Sequence, residues 1–89
     1  MDPVNIPAQV IVHCEAGGEL RPLRFRYEDD RHEVHTVQVD RITDSRKTAF
    51  VGIDAIHCIC KGYEDGKEHM YELRYTIASH KWVIFRRIY

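Results

Sequence analysis

The chain has 89 residues, of which 44% are hydrophobic and 30% charged, and its 13 basic and 14 acidic side chains leave a net charge of -1. That size and balance exclude an array of several domains, a charge-rich disordered segment, and a molecule whose overall field gathers nucleic acid or anionic membrane. No apolar run approaches the roughly 20 residues that a helix needs to cross a bilayer.

Residues 1 to 7 carry Pro3 and Pro7, which withhold backbone donors, so they are expected to form an extended N-terminal arm, with a single β domain over 8–89. The first strand is predicted over Ala8 to Cys14, stopped by Glu15-Ala16-Gly17-Gly18. A second spans Leu20 to Glu28, where Leu23, Phe25 and Tyr27 alternate with Arg24, Arg26 and Glu28. This period of two turns the apolar set inward. Pro22 suits the start of that strand or an edge.

Glu28 to Arg31 reads as a turn and Glu33 to Ile42 as a third strand with Val37 and Val39 on one face. Ile42 is out of phase, which means either an end near Asp40 or a bulge. Asp44-Ser45-Arg46-Lys47 has loop chemistry. A fourth strand is expected within Ala49 to Lys61, weakened at Gly52 and Asp54. Asp65-Gly66 is a hairpin turn signal leading into a fifth strand over Glu68 to Ile77, with Tyr71, Leu73, Tyr75 and Ile77 to one side, and a sixth strand takes Lys81 to Ile88. No helical spacing with caps occurs.

The predicted fold is all-β: a small six-stranded antiparallel meander closing into a barrel or a strongly curved half-barrel. In Trp82 to Phe85 and Ala55 to Cys60 both faces are apolar, so either an arm, a loop or a second copy covers one of them or they are the scattered surface hydrophobes of an ordinary surface.

Cys58 and Cys60 project from one face of a strand, and His57 from the other. With Cys14 they lack the paired knuckle spacing of a zinc site and read as packing thiols, so no metal or cofactor is expected. The six histidines are scattered and carry no ligand motif, and a pH response follows only if they cluster across strands. No nucleophile elbow, phosphate loop or paired-carboxylate site is present, and the chain is not expected to be an enzyme. The odd cysteine number and the absence of an apolar leader fit a cytoplasmic protein.

Nine of the 13 basic residues are Arg. Arg21, Arg24, Arg26, Arg74, Arg86 and Arg87, with Tyr27, Tyr63, Phe85 and Tyr89 near them in sequence, would suit single-stranded nucleic acid if they shared a surface. Against this, cross-strand pairing with Glu28, Glu33, Asp40 and Glu72 would make an ordinary solvated face.

The segments Arg21-Pro-Leu-Arg-Phe-Arg-Tyr27, His35-Thr-Val-Gln-Val-Asp-Arg-Ile42, Tyr71-Glu-Leu-Arg-Tyr75 and Lys81-Trp-Val-Ile-Phe-Arg-Arg-Ile88 resemble a group of short bacterial all-β domains of unknown function, over residues 20–88. Some of these are linked with DNA-repair polymerase proteins. The resemblance implies no cofactor and no catalytic residue, and it raises the nucleic-acid expectation. The sequence therefore reads as a small binding or protein-interaction module whose partner is another protein or a second copy in a homodimer. A single-stranded nucleic-acid binder using the Arg set is the alternative.

Overall fold

The computed structural model describes residues 3–89. Six antiparallel strands follow one another: β1 (Val4–Cys14), β2 (Leu20–Glu28), β3 (Val34–Phe50), β4 (Ile53–Glu64), β5 (Lys67–Thr76) and β6 (Lys81–Arg87). Each pairs with its neighbour, and β1 pairs with β6, so the meander closes into a barrel without helices. The all-β expectation holds, and closure is achieved.

Closure uses residues that the sequence reading gave to a loose arm. Val4 faces Arg86, Ile6 faces Ile84 and Pro7 faces Val83 across the β1–β6 ladder. Only residues 1 and 2 of the expected arm lie outside the described residues. The missing donor of Pro7 is tolerated because an antiparallel strand uses only alternate residues in each ladder.

The core is Phe25, Tyr27, Val37, Cys58, Cys60, Tyr71, Leu73 and Ile84, with Ile6, Ala8, Val10, Val39, Ile42, Ile56 and Trp82 packed round it. Each fully buried large apolar side chain contributes about 1.5–3 kcal/mol, and the Phe25 and Tyr71 rings meet edge to face at 5.2 Å.

Bulges decide where the alternation departs from expectation. Ile11 pairs with Arg24 and Val12 with Pro22, which leaves Leu23 as the extra residue. Leu23 is therefore 48% exposed, and Pro22 is buried in its place. On β3 the register with β4 slips at Asp40 and again at Thr43, so Ile42 returns to the core side by way of a bulge. Asp44 to Lys47 is not a loop: it pairs with Ile56 to Ile59, and β3 runs on to Phe50.

The strand expected from Ala49 is in fact interrupted by the hairpin turn Val51-Gly52, at φ 51° and 75°, positive at both central positions as a two-residue type I′ turn requires. A β-branched residue is an unusual choice there, which is why composition gave no turn signal. Asp65-Gly66, at φ 53° and 76°, makes the β4–β5 turn as expected. At the Val51-Gly52 tip Phe50, Val51 and Ile53 are 78%, 83% and 57% exposed.

The apolar outer face of β6 has its explanation within the sheet. Leu73 faces Ile84 and Glu72 faces Arg86, making Phe85 the extra residue of a bulge. The guanidinium of Arg74 lies 5.3 Å from the Phe85 ring centre, and His57 packs edge-on against the ring at 5.6 Å.

Candidate functional site

Three regions bring chemistry-bearing side chains together. The first closes one mouth of the barrel. The hydroxyls of Tyr27 and Tyr71 donate to Oε1 of Glu64 at 2.8 and 3.0 Å. Glu64 Oε2 lies 3.1 Å from His35 Nδ1, and His35 Nε2 lies 2.8 Å from Asp29 Oδ2. The other Asp29 oxygen accepts the backbone N–H groups of Arg31 and Glu33. The imidazole stacks on Tyr27 at 5.0 Å.

The hydrogen bond to Asp29 leads in raising the His35 pKa, and the same bond leads in lowering Asp29 to about 2. Burial, reinforced by Glu64, pushes both tyrosines well above the ordinary phenol value. The mouth thus sets an imidazole between two carboxylates that favour its charged form, above two phenols whose ionisation is disfavoured.

Donor atoms of Asp29, Glu33 and His35, and of His35, Glu64 and Asp65, fall within 4.8 Å of one another. Both ring nitrogens of His35 are turned to carboxylate oxygens, so a cation could recruit it only by displacing a proton that holds the network together. No thiol belongs to either cluster. Cys14 is exposed at the end of β1, while Cys58 and Cys60 are buried in the core.

The second region is the outer face of β4 to β6. Glu72, 3% exposed, accepts from Arg86 Nε at 2.9 Å and faces His57 Nδ1 at 2.8 Å. Burial acts to raise the Glu72 pKa, but the bonds from Arg86 and His57 together outweigh it, leaving the carboxyl below its usual value.

The proposed Arg surface is divided. Arg21 pairs with Glu15 at 3.2 Å, Arg86 with Glu72, and Arg74 lies over Phe85. Arg87 lines the mouth beside Asp29 and Glu64. Arg24 and Arg26 remain together on the outer face of β2, next to Gln9, Ile11 and Thr36, with Arg26 bonded to Gln9. Gln38 and then Tyr63 continue the Arg24 row onto β3 and β4.

The third region was not legible in sequence. The β2–β3 ladder runs only from Glu28 opposite Val34 to Arg24 opposite Gln38. Beyond it the strands diverge: β2 continues to Leu20 paired only with β1, and β3 continues to Phe50 paired only with β4, among the described residues. The resulting slot, about 610 Å³, has Gly17 to Arg21 on one side and Asp40 to Ile42 with Ser45 to Lys47 on the other, with Ile56 also lining it. From Asp44 to Phe50 the β3–β4 register is regular, so the other edge of β3 there presents a regular row of backbone donors and acceptors.

Comparison with family models, with curated proteins and with solved structures returned no match.

Proposed function

We propose that this chain is a small protein-interaction module that takes an extended segment of another protein as an added strand along the Asp44–Phe50 edge of β3. The observation that carries the reading is the unzipped half of the β2–β3 seam, which leaves seven consecutive β3 residues, Asp44 to Phe50, in regular register with β4 and paired to it alone among the described residues. Closing a barrel normally removes edges, and an edge left open is a template for main-chain pairing. The slot also has partly buried Leu20, Ile42 and Ile56 in its lining, available to the alternate side chains of such a segment.

No catalytic role is assigned. At the mouth every carboxylate oxygen of Asp29 and Glu64 already accepts a bond, and the phenols are held protonated. A single segment has only to fit between the Gly17–Arg21 turn and β3, whereas a second barrel would have to clear that turn. The partner is therefore read as a segment and not as an obligate second copy. The division of the Arg set weighs against a continuous nucleic-acid surface.

The test is an amide NMR titration with soluble octapeptides of alternating apolar and polar residues. Selective changes at Leu20 to Leu23 and Ile42 to Phe50 are expected. Changes confined to Arg24, Arg26, Gln38 and Tyr63, or produced by oligothymidine alone, refute the reading.

A further inference from the structure

The slot is not neutral. Arg41, Arg46 and Lys47 line it on the β3 side against Asp40, and Arg21 faces them from β2 beside Glu19. Arg21 is already paired with Glu15, and elsewhere Arg86 is satisfied by Glu72 and His35 by Asp29 and Glu64. Arg46 and Lys47 make no ion pair among the described residues, and both side chains are exposed on the one stretch of β3 that lacks an outer strand. Arg46 stands opposite His57 across the β3–β4 ladder, and Lys47 opposite Ile56, so the two cations are offered to opposite sides of an added strand.

We infer that the segment taken up at this edge is acidic: an extended peptide in which carboxylate side chains alternate with apolar ones, the apolar set turned to Leu20, Ile42 and Ile56, the face that Lys47 flanks, and the carboxylates to Arg46 on the other face. The inference rests on the strand-addition reading above and adds the chemistry of the occupant. Cross-strand pairs of opposite charge favour such a segment and like-charge pairs reject its basic counterpart. Because the cations are solvated, the preference weakens as salt rises.

The experiment uses the whole chain and labelled octapeptides in which valine alternates with glutamate, threonine or lysine, with labelled oligothymidine as a fourth probe. Fluorescence anisotropy at low salt is expected to show the glutamate peptide bound about tenfold more tightly than the threonine peptide, with the gap narrowing at high salt. Arg46→Glu combined with Lys47→Glu is expected to reverse the order between the glutamate and lysine peptides. Both substitutions are at exposed positions, and an unchanged circular dichroism melt establishes that the variant is folded.

Equal binding of all three peptides, with the slot amides still moving in NMR, overturns the acidic preference and leaves strand addition standing. If none of the peptides moves those amides, strand addition itself falls. Tighter binding of oligothymidine than of the glutamate peptide, lost in the same double variant, overturns the inference in favour of nucleic acid.

Discussion

Gly62 is the position where one added methyl group should cost the most. It lies between Val39 of β3 and His69 of β5, and a Cβ built on it would sit 2.7 Å from the Gln38 carbonyl oxygen and 2.7 Å from Val37 Cγ1. Comfortable separations are about 3.3–3.6 Å for carbon to oxygen and about 3.5–4.0 Å for carbon to carbon. The overlap is thus more than half an ångström on each, and neither neighbour can yield easily. Val37 is fully buried, and the Gln38 carbonyl belongs to the last β2–β3 pair before the Asp40 bulge.

Relief requires β3 and β4 to move apart beside the core. Overpacking costs about 1–3 kcal/mol, occasionally more, and two hard contacts, one with backbone, place Gly62→Ala near the top, at about 3 kcal/mol. For a domain of this size each kcal/mol lowers the Tm by about 4–8 °C, so the melt should fall by about 12–24 °C. The control is Gly17→Ala, where a Cβ meets nothing within 4 Å. That change should be neutral or stabilise by up to about 1 kcal/mol. Reversible thermal melts followed by circular dichroism compare the three proteins. A Gly62→Ala melt within about 4 °C of the parent refutes the packing argument.

The barrel mouth predicts a stability window in pH. Raised His35 contributes stability present below its unfolded value of about 6.5 and lost as pH climbs through its folded value, while depressed Asp29 contributes stability present above about 4 and lost toward pH 2. Urea midpoints should therefore drop as pH rises above about 6.5, and His35→Gln should flatten that slope; an equal slope in both proteins assigns it elsewhere. Glu72→Ala strands the Arg86 and His57 donors and is expected to destabilise by about 2–3 kcal/mol in chemical denaturation, with Glu72→Gln costing less. Burial raises the thiol of Cys58 and lifts Cys60 to about 12, so both should resist a disulfide reagent in the native protein, while exposed Cys14 reacts. All three should titrate after unfolding, and rapid native reaction of more than one contradicts the buried placement.

What the sequence disclosed and what it hid follow one physical division. Alternation placed Phe25, Tyr27, Tyr71 and Leu73 inside, and Asp65-Gly66 announced its own turn, because those signals are carried by a few adjacent residues. Leu23 misled because the choice between it and Pro22 was made by a bulge against β1, a partner whose register no local pattern reveals. Asp44 to Lys47 has the composition of a loop and is nonetheless strand, since its ladder to β4 overrides propensity.

The candidate site was hidden for a related reason: it exists where β2 and β3 stop pairing, which is a property of two ladders and of no single residue. Glu64, next to the Asp65-Gly66 turn signal, likewise carries no local mark of its role. The tyrosine that meets it from β2, Tyr27, is 37 residues away along the chain.

The seal between the first and last strands carries one more consequence. Arg87 N–H donates to the Pro3 carbonyl at 3.3 Å, and Val4 faces Arg86, so the two ends of the described chain lie side by side on a ring of strands. Tethering those ends with a short flexible peptide and opening the backbone at Val51-Gly52 would create a circular permutant beginning at β4. Every ladder would be kept, at the cost of one exposed turn. Cargo fused to either end of the parent chain would likewise leave the barrel from neighbouring points.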